Sequence, residues 1–270
     1  MPETAQSLPM QEAIEEALKN VRKVLMVLSG KGGVGKSVVA ASLALAWSLK
    51  GRRVAVLDAD IHGPSIPWIL GLENAYMYAT MEGKLIPPEI RGVAVVSMEL
   101  LLRDKKQPII WRGPMKTRAL IELIGKTEWG DRDVLVVDLP PGTGDEPLTI
   151  AQYLRSKACA LLVLTPGAMV KHVVEKAKEF VKILGVKLVG AVMNMSFAIC
   201  PNCGSRIDLF GSRESLEDVE LLEELPLDPE FARAVESSKL VEFLEKCSDR
   251  EIVGRIKRLA EIVEVKMCEQ

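Results

Sequence analysis

Residues 24–50 read VLMVLSGKGGVGKSVVAASLALAWSLK, and this stretch decides the fold. Val24–Leu28 is a short apolar β-branched run, suited to a buried strand. Ser37–Lys50 carries apolar residues at helical spacing. Between them, Gly30-Lys31-Gly32-Gly33-Val34-Gly35-Lys36-Ser37 matches the phosphate-binding pattern G-x-x-x-x-G-K-S/T in its proper setting, with a strand leading in and a helix leading out. The glycines let main-chain N–H groups turn toward a phosphate, and the helix N-terminus adds about half a positive charge. Lys36 is predicted to neutralise β- and γ-phosphate oxygens, and the Ser37 hydroxyl to hold Mg²⁺. Lys31 is not required by the pattern; its ordinary reading is a solvated surface lysine.

Outward from this motif the rhythm continues. Val54–Leu57, Val93–Val96, Val134–Val137, Ala160–Leu164 and Leu188–Met193 read as strands apolar on both faces, with Leu221–Leu225 a weaker candidate. Amphipathic stretches at Lys116–Gly125, Val170–Leu184 and Arg250–Val265 alternate with them. Such alternation predicts an α/β fold. The expected form is one domain with a mostly parallel central sheet of about seven or eight strands and helices on both faces. Residues 21–270 are expected to form that domain, and residues 1–20 a short acidic amphipathic helical extension. Residues 72–92, 97–115 and 194–217 break the rhythm, and long interruptions in such folds tend to be functional.

Asp58 and Asp60 end one strand in VLDADIHGPS, and Asp138 ends another in VLVVDLPPGTGD. A lone aspartate there is usually a turn former or a helix cap. Two such strand ends beside a phosphate loop point instead to the crevice where α/β proteins bind ligands. Asp138 suits a carboxylate that steadies Mg²⁺ through water.

Composition narrows the rest. With 48% hydrophobic and 27% charged residues the chain is an ordinary globular sequence, and a net charge of −2 argues against a duplex-DNA partner. No apolar run reaches the roughly 20 residues of a membrane span. The acidic start lacks the order of a signal peptide, and five cysteines without an export signal favour a reducing compartment. The expectation is a cytoplasmic protein with no nucleic-acid and no membrane partner.

Together, GKGGVGKS, DADIHGPSIP, WRGPMKTRAL, DLPPGTGD, CPNCG and LPLDP resemble the Mrp/ApbC branch of the MinD/ParA superfamily over residues 20–265. These are ATP-binding carriers or scaffolds of iron–sulfur clusters. The resemblance implies a slow Mg-dependent ATPase working as a homodimer closed over two ATP molecules, with apo iron–sulfur proteins as clients. It implies an ATP site along Gly30–Val38, with Lys31 reaching the partner's phosphates and Lys36 acting in cis. Asp58 joins that site, Asp60 orients the attacking water and Asp138 senses the γ-phosphate. Asn194 matches the position that reads adenine, with Pro226, Leu227 and Asp228 closing over the base.

Cys200-Pro201-Asn202-Cys203-Gly204 offers two thiols spaced to share one metal, but two thiolates do not complete a tetrahedral site. A two-fold dimer would supply four, enough for the bridging 4Fe–4S cluster that the family is expected to carry. A dimer-bridging structural zinc, a redox pair and an inert pair are the alternatives. Zinc would go with a rival reading, a MinD/ParA-like positioning ATPase. Cys159, Cys247 and Cys268 have no ligand-spaced partner, nor have His62 and His172. Met193, Met195 and Phe197 read as packing, Trp111–Met115 as a helix entry or partner contact, and the C-terminal stripe as a helix covering the sheet.

Overall fold

The computed structural model describes residues 8–102, 113–167, 170–209, 216 and 219–268. Eleven strands occur among these: β1 (Val21–Ser29), β2 (Val54–Asp58), β3 (Tyr78–Ala79), β4 (Leu85–Ile86), β5 (Glu89–Ile90), β6 (Val93–Ser97), β7 (Arg132–Asp138), β8 (Ala158–Leu164), β9 (Lys187–Ile199), β10 (Arg206–Asp208) and β11 (Leu221–Pro226). The helices are α1 (Leu8–Ala17), α2 (Lys36–Leu49), α3 (Ile66–Ile69), α4 (Gly113–Lys126), α5 (Asp145–Leu154), α6 (Val170–Leu184), α7 (Pro229–Glu236), α8 (Leu240–Lys246) and α9 (Glu251–Cys268).

The main sheet has the order β10-β9-β8-β1-β7-β2-β6-β5, with β11 also on β9. All seven strands foreseen from apolar runs pair parallel within it, while the short β5 and β10 add antiparallel pieces. Strands such as β2, β6 and β8 are buried along their whole length because helices cover both faces. One hydrophobic cluster runs from Ile14 to Met267. α1 packs on α4, and the apolar stripe of α9 (Ile252, Val253, Ile256, Leu259, Ala260, Val263) lies buried, with Trp47 Nε1 on α2 donating to Ala260 O at 3.0 Å. Met193 and Phe197 are buried in the core.

The interruptions resolve differently from one another. Residues 72–92 hold the β3–β4 hairpin and β5. Of Trp111–Met115, Trp111 and Arg112 lie outside the described residues, and Gly113 opens α4. At 194–217 the sequence rhythm calls for a strand handing over to a helix. Instead β9 runs on to Ile199, turns through Cys200–Ser205 and returns as β10. The apolar residues of SFAI favour continued pairing, and Pro201, Asn202 and Gly204 (φ 71°) make the turn.

Candidate nucleotide site and cysteine hairpin

The phosphate loop follows β1, which lies between β7 and β8, at the carboxyl ends of the parallel strands. Gly35 adopts φ 81° at the start of α2, and a Cβ there would come within 2.3 Å of Asn194 Nδ2. Gly30 is equally tight, its Cβ position lying 2.3 Å from Val173 on α6. Lys31, Gly32 and Gly33 are exposed, whereas Lys36 is buried. Beside the loop a cavity of about 100 Å³ is lined by Gly30, Lys31, Val34, Thr165 and Val173, among others.

Parallel register sets Asp58 of β2 directly beside Asp138 of β7. Asp138 is fully buried and accepts a hydrogen bond from the Lys36 ammonium through Oδ1. Its Oδ2 is buried with no hydrogen-bond partner. Burial holds the Asp138 carboxyl above its usual pKa, opposed by the neighbouring Lys36 charge and by hydrogen bonds from Lys36 and Ser37. A free carboxylate oxygen with a hydroxyl at hand is an oxygen set that fits a hard divalent cation such as Mg²⁺. The loop after β7 is tied to the phosphate loop, with Gly142 N–H donating to Ser29 O at 2.8 Å.

Asp58 is held by main-chain donors. Its Oδ2 accepts from Ser65 N–H (2.9 Å) and Ile66 N–H (3.0 Å), and its Oδ1 from Asp60 N–H (3.2 Å). It therefore shapes the 59–66 loop. Burial and the adjacent Asp138 charge push its pKa well above the usual value, the main-chain donors opposing. Asp60 in turn accepts from His62 N–H and Gly63 N–H at 3.1 and 3.2 Å, which tightens the turn after β2. The His62 and His172 side chains are exposed.

Asn194, on β9, donates from Nδ2 to Val34 O in the phosphate loop at 2.9 Å. Pro226 pairs with Phe197 in register, and Leu227 N–H donates to Phe197 O at 2.7 Å. Asp228 caps α7 by accepting from Glu230 N–H and Phe231 N–H. The fold thus brings Asp138 and Asn194 onto the phosphate loop and Asp58 with Asp60 beside Asp138, while Pro226–Asp228 meets β9 three residues beyond Asn194, at Phe197.

The cysteine pair sits at the tip of the β9–β10 hairpin. Cys200 N–H donates to Ser205 O, and Gly204 N–H to Cys200 O, both at 2.9 Å, closing a tight knuckle. Cys203 is exposed and Cys200 half-buried. The Cys203 thiol lies 3.2 Å from Ser205 Oγ, and hydrogen bonding to Ser205 and then to Cys200 lowers its pKa. Among the described residues no group of three or more His, Cys, Asp or Glu could hold a metal ion, so the pair stands as two ligands. Cys159, by contrast, is buried in β8, and burial pushes its thiol up to about 12.

Residues 20–264 match the model of the ParA family described as NUBPL iron-transfer P-loop NTPase. The chain belongs to this family. An iron-sulfur cluster carrier protein from Methanocaldococcus jannaschii is 38% identical over 98% of this chain and 93% of its own length. A cytosolic Fe-S cluster assembly factor Nubp2 homolog from Drosophila virilis is 41% identical over 78% and 83%. Among solved structures, a nucleotide-binding protein from Archaeoglobus fulgidus in complex with ADP superposes with TM-score 0.76 at 36% identity, covering 86% of this chain and 93% of that one. The cell-division ATPase MinD from Pyrococcus furiosus shares the fold, with TM-score 0.65 at 21% identity over 91% and 99%.

Within this P-loop NTPase, several contributors carry no signal in the sequence. Ser205 anchors the cysteine knuckle through both main chain and side chain, yet it is one serine among many. Phe197 and Arg206 meet across the hairpin, the guanidinium 3.9 Å from the ring centroid, because two strands pair antiparallel where no strand was foreseen. No helix among the described residues is long and apolar enough to cross a membrane.

Proposed function

We propose that this chain is an ATP-dependent iron–sulfur cluster carrier, with residues 21–270 as the ATPase unit and residues 1–20 as its extension. It works as a homodimer in which Cys200 and Cys203 of each copy jointly hold a 4Fe–4S cluster for delivery to apo-proteins. The observation that carries this reading is the Cys200–Cys203 knuckle, a two-thiol half-site in the turn that ends the strand touching the phosphate loop. The names of the two relatives described above point the same way.

In this reading ATP lies along Gly30–Val38, and Lys36 exchanges Asp138 for the phosphate oxygens. Magnesium, held by Ser37 and through water by Asp138, supplies counter-charge to those oxygens. Lys31, exposed at the crevice mouth, reaches the phosphates bound by the second copy. Asp60 orients the attacking water, and Asp58 keeps the Asp60 loop in place. Asn194 gives up Val34 O to read adenine, with Pro226, Leu227 and Asp228 closing over the base. Turnover is slow and serves cluster loading and release. The setting is cytoplasmic, with neither nucleic acid nor membrane as partner; the α9 stripe that could serve as an anchor is spent on the core.

The test is iron, acid-labile sulfide and zinc content of anaerobically purified and reconstituted protein, beside Cys200→Ala and Cys203→Ala. Iron and sulfide near four each per dimer are expected, lost in either variant. Zinc at that place with no cluster uptake would make the knuckle a structural staple. The MinD/ParA-like positioning ATPase would then be the better account.

A further inference from the structure

β9 connects the nucleotide crevice to the cysteine pair without interruption, but it is not a plain strand. Between Met193 and Phe197 it advances four residues while β11 advances two, from Glu224 to Pro226. The extra residues form a bulge at Asn194–Ser196. Met195 there adopts φ 54°, one of three non-glycine residues with positive φ among those described. The Ser196 hydroxyl is buried without a hydrogen-bond partner. Bulges with such backbone re-aim side chains near active sites and disrupt the ladder locally; beyond this one, β9 pairs with β10 from Phe197 to Ile199.

A cluster around Phe197 ties this pair of strands to β11 and α9. The Phe197 carbonyl receives the Leu227 N–H, from the segment assigned above to the adenine base. Its buried ring faces the Arg206 guanidinium at 3.9 Å and the Arg255 guanidinium at 5.0 Å. Arg206, the first residue of β10, forks onto Glu224 of β11 (3.2 Å) and Asp208 (2.8 Å). Arg255 on α9 bonds Glu223 (2.6 Å) and the Glu224 carbonyl (3.2 Å). Arg206 is thus a side chain through which the cysteine hairpin grips β11, the strand that leads into Leu227 and Asp228.

We propose that Arg206 is a positioning residue that makes the cysteine hairpin and the Pro226–Asp228 segment move as one body, so that nucleotide occupancy sets the accessibility of Cys200 and Cys203. This rests on the nucleotide-site assignment above but needs no cluster to be present. Planarity matters: an arginine can stack on Phe197 and fork to Glu224 at once, and a lysine cannot.

The experiment follows alkylation of Cys200 and Cys203 by iodoacetamide in the cluster-free full chain. Mass spectrometry reads the labelling with and without ADP or a non-hydrolysable ATP analogue, and sedimentation run alongside restricts comparison to equal oligomeric states. In the unmodified chain nucleotide should change the rate by about fivefold or more, the lower end of ordinary coupling between sites. Arg206→Ala should bring that ratio close to one at saturating nucleotide, with affinity titrated alongside so that both chains are compared at equal occupancy. Arg206→Lys should fall between, and Glu224→Gln, which keeps the stacked arginine, guards against a hairpin that simply fails to fold. A nucleotide effect in Arg206→Ala and Glu224→Gln as large as in the unmodified chain overturns the proposal, as does no effect in the unmodified chain. Failure of the carrier reading is seen separately, in the iron and sulfide content.

Discussion

Asp138→Asn probes the buried charge cluster under the phosphate loop. Lys36 and Asp138 form an ion pair with side chains 6% and 0% exposed, and Asp58 lies beside them in register. Asparagine keeps the shape of Asp138 but leaves the Lys36 ammonium without its carboxylate. Removing one partner of a buried pair costs about 3–5 kcal/mol. Relief of the Asp58–Asp138 repulsion returns about 1–2 kcal/mol at the effective dielectric of a protein interior. Because burial already holds the Asp138 carboxyl above its usual pKa, neutralising it also returns desolvation energy, and the net loss is no more than about 1–4 kcal/mol, a fall in Tm of about 2–16 °C for a chain of this size. Thermal and urea unfolding of the nucleotide-free protein at neutral pH measure it. ATP without magnesium should narrow the deficit, because phosphates offer the ammonium a new counter-charge.

The same cluster sets a pH dependence. Both carboxyls are held above the ordinary aspartate value of 3.8, Asp58 the more strongly. The folded chain therefore keeps protons that the unfolded chain releases. Stability from these groups is complete below the unfolded value and is lost as pH rises through the raised folded values. Asp138→Asn removes one such group and the charge beside the other, so the loss from acid toward neutral pH should be flatter. An unchanged or raised Tm at neutral pH, together with an unchanged pH slope, would refute the reasoning.

Three further outcomes follow from local geometry. Gly35→Ala places a Cβ 2.3 Å from Asn194 Nδ2 at φ 81°; left-handed backbone strain and the lost Asn194–Val34 hydrogen bond, about 1 kcal/mol each, should lower the stability of the nucleotide-free chain by about 2 kcal/mol, and an unchanged urea midpoint would contradict this. Ser205→Ala removes the hydroxyl beside Cys203, so the thiol pKa should rise and the midpoint of its alkylation–pH profile should move up; Cys159, pushed up to about 12, should stay unlabelled until the chain unfolds. Gly190→Ala in β9, at φ 147°, drives a Cβ to 2.6 Å from the Leu222 side chain and 2.8 Å from Glu220 O, and should lower stability by about 2 kcal/mol or more, read as a lower urea midpoint at constant slope.

Much of this molecule is legible in its sequence because its signals are local. Seven apolar β-branched runs separated by helical patterns state a parallel sheet covered on both faces, and each of those runs became a strand. The loop from Gly30 to Ser37 announces its chemistry because glycine spacing, lysine and helix start are all neighbours in the chain. α5, with Pro147 in its first turn, and α3, α7 and α8, with four to eight residues each, were not foreseen, being too short to show a period. The two-residue strands β3, β4 and β5 escaped for the same reason.

Pairings between distant parts of the chain needed the fold. The sequence by itself determined the fold class, the phosphate-binding loop and the presence of a two-thiol half-site, because each depends on residues adjacent or periodic along the backbone. Only the tertiary structure decided that Lys36 rests on Asp138 and that Asp58 holds a loop. It alone set Asn194 against Val34 and closed the cysteine strand into a hairpin clamped by Arg206 on Phe197. Those contacts span up to 160 residues of chain. They arise from strand order and register, which no local pattern encodes.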